Sequence, residues 1–261
     1  MSLRDHALAF AFGLLAPVAA ALAQAPVPEE RSMESVRGCE LHYRVHRPAV
    51  PTPAPIVLIG HGFMRNGSHM RGWADAFADA GLTAVTLDFC ASSATDGRHA
   101  DNGADLVAVR RALQREEAIY VGTSAGGLAA LIAASSDPAG TRGVLLLDPT
   151  NAGGQARRAA GRVHAPVAAL VAKAQVCNAW RNIDRALATL GDATIVAVER
   201  ASHCDFEWPS NALCRVACLA PTDEGEQARI RTIAIGFVRA LADPDPGALA
   251  GWKAGLGALL H

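Results

Sequence analysis

Charge is sparse in this chain of 261 residues. Asp, Glu, Lys and Arg make up 19% and the formal net charge is −1. No basic stripe is present, which removes the electrostatic footprint of a nucleic-acid binder. No block of like charges marks a solvated tail. The cysteines show neither a Cys-x-x-Cys pair nor the Cys/His spacing of a zinc site, so no metal site is expected. Internal repeats and linker-like composition shifts are also missing. The most apolar N-terminal stretch, Ala7 to Ala21, is broken by Gly13 and Pro17 and is short for a bilayer span.

That stretch reads as a secretory signal. Arg4 supplies a positive start, and Ala21-Leu22-Ala23 is a small-x-small cleavage site before Gln24. Residues 1–23 are therefore expected to be a signal peptide and 24–261 a single domain. Cleavage would leave an exported protein, periplasmic or secreted, with no stable membrane insertion. Export suits disulfides for the six cysteines, Cys39, Cys90, Cys177, Cys204, Cys214 and Cys218. Cys204, Cys214 and Cys218 cluster in sequence and suggest a local clamp. The pairing stays open, with buried free thiols as the alternative.

Hydrophobic periodicity orders the rest. Residues 24–35 read as a loose lead-in. Glu40 to His46 alternates as a strand with one wet face. Ile56–Ile59, Thr83–Phe89, Ile119–Val121, Gly143–Leu147, Val167–Val171 and Thr194–Val198 read as further strands, several of them apolar throughout. Helical spacing covers 68–80, 104–115, 128–134, 183–190 and 225–241, and a short helix is expected within 151–162. The Pro/Gly-rich end, Asp243 to His261, is expected to pack peripherally. Strands alternating with helices predict a mainly parallel α/β sheet with helices on both faces. A ligand site then belongs at the carboxyl ends of the strands.

Several strand ends carry residues able to do chemistry. Gly122-Thr123-Ser124-Ala125-Gly126 follows a strand and opens a helix, the context in which Gly-x-Ser-x-Gly makes a nucleophile elbow. Ser124 needs a base to take its proton. Among the histidines downstream, His164 precedes a strand and His261 is terminal, which leaves His203 after the last strand. The base needs a carboxylate to fix its tautomer. No Asp or Glu occurs between Asp148 and Asp184; Asp148 ends the strand before Val167–Val171, and the resemblance given below makes it the expected acid, with Asp184 and Asp205 as the alternatives. Phe63, Met64, Trp180, Phe206 and Trp208 lie in or near loops that could line an apolar pocket; ordinary packing is the alternative for each.

These residues, with His61-Gly62-Phe63 and Asp148-Pro149, make the chain resemble an α/β-hydrolase over nearly all of its mature length, in the order Ser, Asp, His. An acid one strand early is similar to chlorophyllases and platelet-activating-factor acetylhydrolases. The His-Gly-aromatic turn resembles polyester hydrolases and dienelactone-hydrolase-like proteins. By that resemblance the oxyanion donors are the Phe63 and Ala125 N–H groups, with Met64 as the register-shifted alternative, and His61 buttresses the loop. The resemblance implies an exported serine esterase working through an acyl-Ser124 intermediate on a small-molecule or polymeric ester, with no cofactor, and Met64, Trp180 and Trp208 as substrate-contacting residues. An acyltransferase with the same residues and a catalytically inactive hydrolase-fold binding protein are the alternatives.

Overall fold

A computed structural model describes residues 26–52, 54–92 and 97–259; the expected signal peptide lies outside the described residues. The chain opens with strand β1, Glu29–Glu34, then β2, Glu40–His46, and β3, Ile56–Gly60. A 3-10 turn, Gly67–Met70, leads into helix α1, Arg71–Asp79, followed by β4, Ala84–Asp88, and α2, His99–Ala112. Next come β5, Ala118–Thr123, α3, Ala125–Ser136, β6, Thr141–Leu147, and α4, Gln155–Ala160. Then follow β7, Val167–Ala172, α5, Asp184–Leu187, and β8, Ala193–Val198. The chain closes with α6, Ala212–Ala217, α7, Glu224–Ala242, and α8, Ala248–Leu259.

The strands form one sheet of eight in the order β1-β2-β4-β3-β5-β6-β7-β8. β1 and β2 run antiparallel at one edge, and every pairing from β4 through β8 is parallel. Parallel central strands need cover on both faces, and the apolar runs supply it. Alternate residues divide between two cores. Ile56, Leu58, Tyr120 and Val144 join the core under α2, α3 and α4, while Val57, Ile59, Val121 and Leu145 join the one under α1 and α7.

The sequence reading of a parallel α/β fold with helices on both faces holds, with local differences. The lead-in is not loose: Glu29–Glu34 is an edge strand, invisible to periodicity because its half-buried face carries Arg31 beside Met33. The single helix expected over 68–80 is a 3-10 turn joined to α1 at Met70. The expected helix over 183–190 is reduced to the single turn Asp184–Leu187. The C-terminal stretch contains a full helix, α8, which seats Trp252 against Phe237 at 4.9 Å between ring centroids. All six cysteines pair, as Cys39–Cys90, Cys177–Cys218 and Cys204–Cys214. The local clamp exists as Cys204–Cys214, while Cys218 reaches back to the loop after β7.

Candidate active site

Ser124 stands between β5 and α3 at φ 55 and ψ −121. A non-glycine residue in this region is strained, and the surroundings must enforce it. Ser124 N–H donates to the Leu147 carbonyl at 3.0 Å, and its own carbonyl accepts from Gly127 and Thr150 at 3.0 and 3.2 Å. The turn closes so tightly that small neighbours are obligatory. A Cβ on Gly122 would lie 2.1 Å from the Gly126 carbonyl oxygen, and one on Gly126 would lie 2.3 Å from that of Gly60. These two contacts give the Gly-x-Ser-x-Gly spacing its physical reason. α3 starts directly after the serine, so its N-terminal N–H groups face the site.

Asp148 directly follows β6, and His203 opens a 3-10 turn, His203–Phe206, after β8. The His203 Nδ1 lies 2.6 Å from Asp148 Oδ2, with both side chains buried. A carboxylate oxygen accepts, so this contact suits an imidazole that donates from Nδ1 and turns Nε2 away from Asp148. The His203 turn abuts the elbow, because Thr123 Oγ1 donates to the Phe206 carbonyl at 3.3 Å. Asp205 holds the turn rigid: its carboxylate accepts from the N–H groups of Ser202 and Asp223 and from the Gln227 amide. His164 is exposed ahead of β7, and Asp184 is half-exposed and paired with Arg181.

The loop after β3 packs against the serine. A Cβ on Gly62 would sit 3.4 Å from Ser124 Cβ. His61 is buried and bridges two loops: Nδ1–H donates to the Gly62 carbonyl at 2.8 Å, and Nε2 accepts from Phe89 N–H at 3.0 Å. Burial drives its pKa down to about 4, so it is neutral at pH 7. The Met64 N–H is occupied by the Ser92 carbonyl at 2.9 Å. The N–H groups of Phe63 and Ala125 have no acceptor among the described residues. Arg65, on the same loop, pairs with Glu207 at 2.6 Å and so ties it to the His203 segment.

The apolar residues expected at the pocket divide. Phe63, Met64 and Trp180 are exposed on loops at the carboxyl ends of β3 and β7. Trp208 is engaged in packing: its ring meets Trp73 edge-on at 5.8 Å and carries the Arg231 guanidinium at 4.5 Å. It crowds Gly72 and serves packing between α1 and α7. Phe206 is fully buried in the core on that side.

Asn178 has no counterpart in the sequence reading. It is fully buried on the loop after β7, and its amide donates to both Asp148 oxygens at 3.3 Å. A neutral amide in no motif carries no signal in a single sequence. The neighbouring residues Ala179, Trp180 and Arg181 all have left-handed backbone, with φ of 50, 56 and 58.

No family model matches the chain, and neither does any curated protein. Solved structures do. A dienelactone hydrolase from Anabaena variabilis ATCC 29413 superposes with a TM-score of 0.57 at 25% identity, over 74% of this chain and 94% of that one. The chain has the α/β-hydrolase fold. A monoacylglycerol lipase from Paleococcus ferrophilus shares this hydrolase fold at TM-score 0.61 and 15% identity, over 78% of this chain and all (100%) of that one. A cold-adapted esterase from an Arctic intertidal metagenomic library does so at 0.53 and 18%, over 66% and 84%. Within the hydrolase fold, the Ser124 elbow and the Asp148–His203 pair occupy the carboxyl ends of β5, β6 and β8.

Proposed function

We propose that the chain is an exported serine hydrolase that cleaves carboxylic esters through an acyl-Ser124 intermediate. The observation that carries this reading is the 2.6 Å contact between His203 Nδ1 and Asp148, at the sheet end that also holds the strained Ser124 elbow. In the proposed cycle His203 Nε2 takes the Ser124 proton as Oγ attacks the ester carbonyl, and Asp148 stabilises the imidazolium. The Phe63 and Ala125 N–H groups receive the developing oxyanion; one such donor is typically worth about 3–4 kcal/mol of barrier. His203 then protonates the leaving alcohol. In the second half it activates a water, which releases the acid and regenerates Ser124.

Ester hydrolysis is also supported by the folds this chain superposes on, an esterase, a monoacylglycerol lipase and a dienelactone hydrolase among them. Dienelactone hydrolases proper use a cysteine nucleophile; the elbow residue here is Ser124, and every cysteine is in a disulfide. Exposed Phe63, Met64 and Trp180 favour an ester with an apolar acyl or alcohol part. Export is supported by the signal-like N-terminus and the three disulfides. No described helix is long and apolar enough to cross a membrane.

The test is hydrolysis of p-nitrophenyl acetate and butyrate by the oxidised protein beside Ser124→Ala and His203→Ala. The reading expects saturable turnover, lost in both variants while circular dichroism stays unchanged. Turnover that survives Ser124→Ala, or a wild type without turnover, contradicts it.

A further inference from the structure

Asp148 is held by more than His203. Its Oδ1 accepts from the Ala172 N–H at 3.0 Å, at the end of β7. The Asn178 amide then reaches across both oxygens, 3.3 Å from each. The orientation of that amide is not free. Its Oδ1 accepts from the Gln175 and Arg181 N–H groups at 2.9 and 3.2 Å, and its Nδ2 also donates to the Lys173 carbonyl at 2.8 Å. A flipped amide would turn oxygen toward a carbonyl and a carboxylate, so the network fixes nitrogen against Asp148.

The loop carrying Asn178 is itself fastened on two sides. The adjacent Cys177 is bonded to Cys218, just past α6. Asn151 and Asn182 exchange two hydrogen bonds of 2.8 Å, which ties the loop to the segment after Asp148. α6 also takes Cys214–Cys204, and Cys204 adjoins His203. One short segment thus anchors both the Asn178 side and the His203 side of the carboxylate.

We propose that Asn178 is a positioning residue for the Asp148–His203 pair, holding the carboxylate in the plane that meets Nδ1 while adding no charge of its own. The inference deepens the acyl-transfer reading and rests on it for the catalytic consequence. A buried carboxylate needs donors. A cationic donor would take far more of the carboxylate charge from the imidazolium than a neutral amide does. The charged groups on the surrounding loops are otherwise engaged: Arg181 with Asp184, Arg65 with Glu207, and Asp205 with its own turn; Lys173 is exposed. His203 is the one titratable group hydrogen-bonded to Asp148 among the described residues.

The experiment compares wild type with Asn178→Ala and Asn178→Leu, and with Asn182→Ala as a loop control. The readouts are the pH profile of p-nitrophenyl butyrate hydrolysis and the titration midpoint of the His203 ring by NMR. Losing the amide leaves more of the carboxylate charge to the imidazolium. Both Asn178 variants are therefore expected to move the midpoint and the acid limb to higher pH by roughly half a unit to one unit. They should also lower kcat about tenfold with KM within about twofold, the pattern of an interaction that acts on the transition state. Asn182→Ala loosens the same loop without touching the carboxylate and is expected to leave the midpoint in place. An unchanged midpoint in the Asn178 variants, or an equal shift in Asn182→Ala, overturns the proposal. One measurement needs no variant. In the wild type the Asn178 side-chain amide resonances should titrate together with His203; amide resonances that ignore that titration overturn it as well. If the midpoint shifts but the wild type turns over no ester, the positioning stands and the acyl-transfer reading fails.

Discussion

The contact between His203 and Asp148 spans a strand. Asp148 directly follows β6, His203 follows β8, and β7 runs between them, with its last N–H, on Ala172, donating to the same carboxylate. The acid therefore reaches the imidazole from one strand further in than the strand neighbouring β8, and the loop after β7 is left to supply a donor in place of the acid.

Replacing the acid is the first prediction. Asp148→Asn keeps the size of the side chain but removes the charge that fixes the imidazole tautomer. The expected loss in kcat for p-nitrophenyl butyrate is roughly 10³–10⁴-fold, with little change in KM. Asp184→Asn, on an exposed ion pair, should stay near wild type. Asp205→Asn should lower the thermal midpoint, because its carboxylate organises the turn after β8. Near-normal kcat in Asp148→Asn would move the acid elsewhere.

His61 gives a prediction in pH. Its folded pKa is depressed to about 4 by burial, so between that value and its ordinary 6.5 the unfolded chain binds a proton that the folded chain refuses. Its contribution is intact above pH 6.5 and is lost as the pH falls toward 4. The full difference is about 3 kcal/mol at 1.36 kcal/mol per pH unit. Urea unfolding of wild type and His61→Gln across this range should show a flatter dependence in the variant. Parallel curves would contradict the assignment.

The cystines make a third. Cys204–Cys214 closes a loop of sequence separation 10 and Cys177–Cys218 one of 41. Chain-entropy reasoning puts their stabilisation at about 3 and 4 kcal/mol respectively. Serine double replacement at Cys177 and Cys218 should give the larger fall in stability in denaturant melts. It should also depress kcat, because Asn178 adjoins the broken bond. A double variant with full kcat would detach this loop from the site.

The two tryptophans should behave differently. Trp180 is exposed and held out on left-handed backbone, so Trp180→Ala should raise KM for the butyrate ester more than for the acetate, with kcat and stability nearly unchanged. Trp208 is packed on Trp73 beneath Arg231, so Trp208→Ala should cost stability, roughly 2 kcal/mol or more, with little effect on KM. Steady-state kinetics and thermal melts on both variants check this; the reverse pattern would exchange their roles.

What the sequence revealed and what it concealed follow from the physics of each element. Apolar runs such as Ile56–Ile59 have few solutions other than buried parallel strands, so the sheet was legible. Ser124, Asp148 and His203 stood out because each follows such a run. β1 was hidden because its half-buried face carries Arg31 beside Met33, so the sequence shows no apolar alternation. α8 was hidden by Gly251, Gly255 and Gly257, which weaken helix propensity, although Leu256 is buried and Trp252 packs on Phe237. Trp208 packs on Trp73 beneath Arg231, a contact that nearness in sequence to His203 does not reveal. Asn178 was out of reach, since its role comes from a left-handed turn and a disulfide that join distant segments.

The central claim is that Ser124 is an activated nucleophile. Its most direct test is reaction of the oxidised protein with a fluorophosphonate, followed by peptide mapping. The account predicts a single adduct on Ser124, absent in Ser124→Ala and formed far more slowly in His203→Ala. An unlabelled wild type, or labelling that persists in Ser124→Ala, would contradict it.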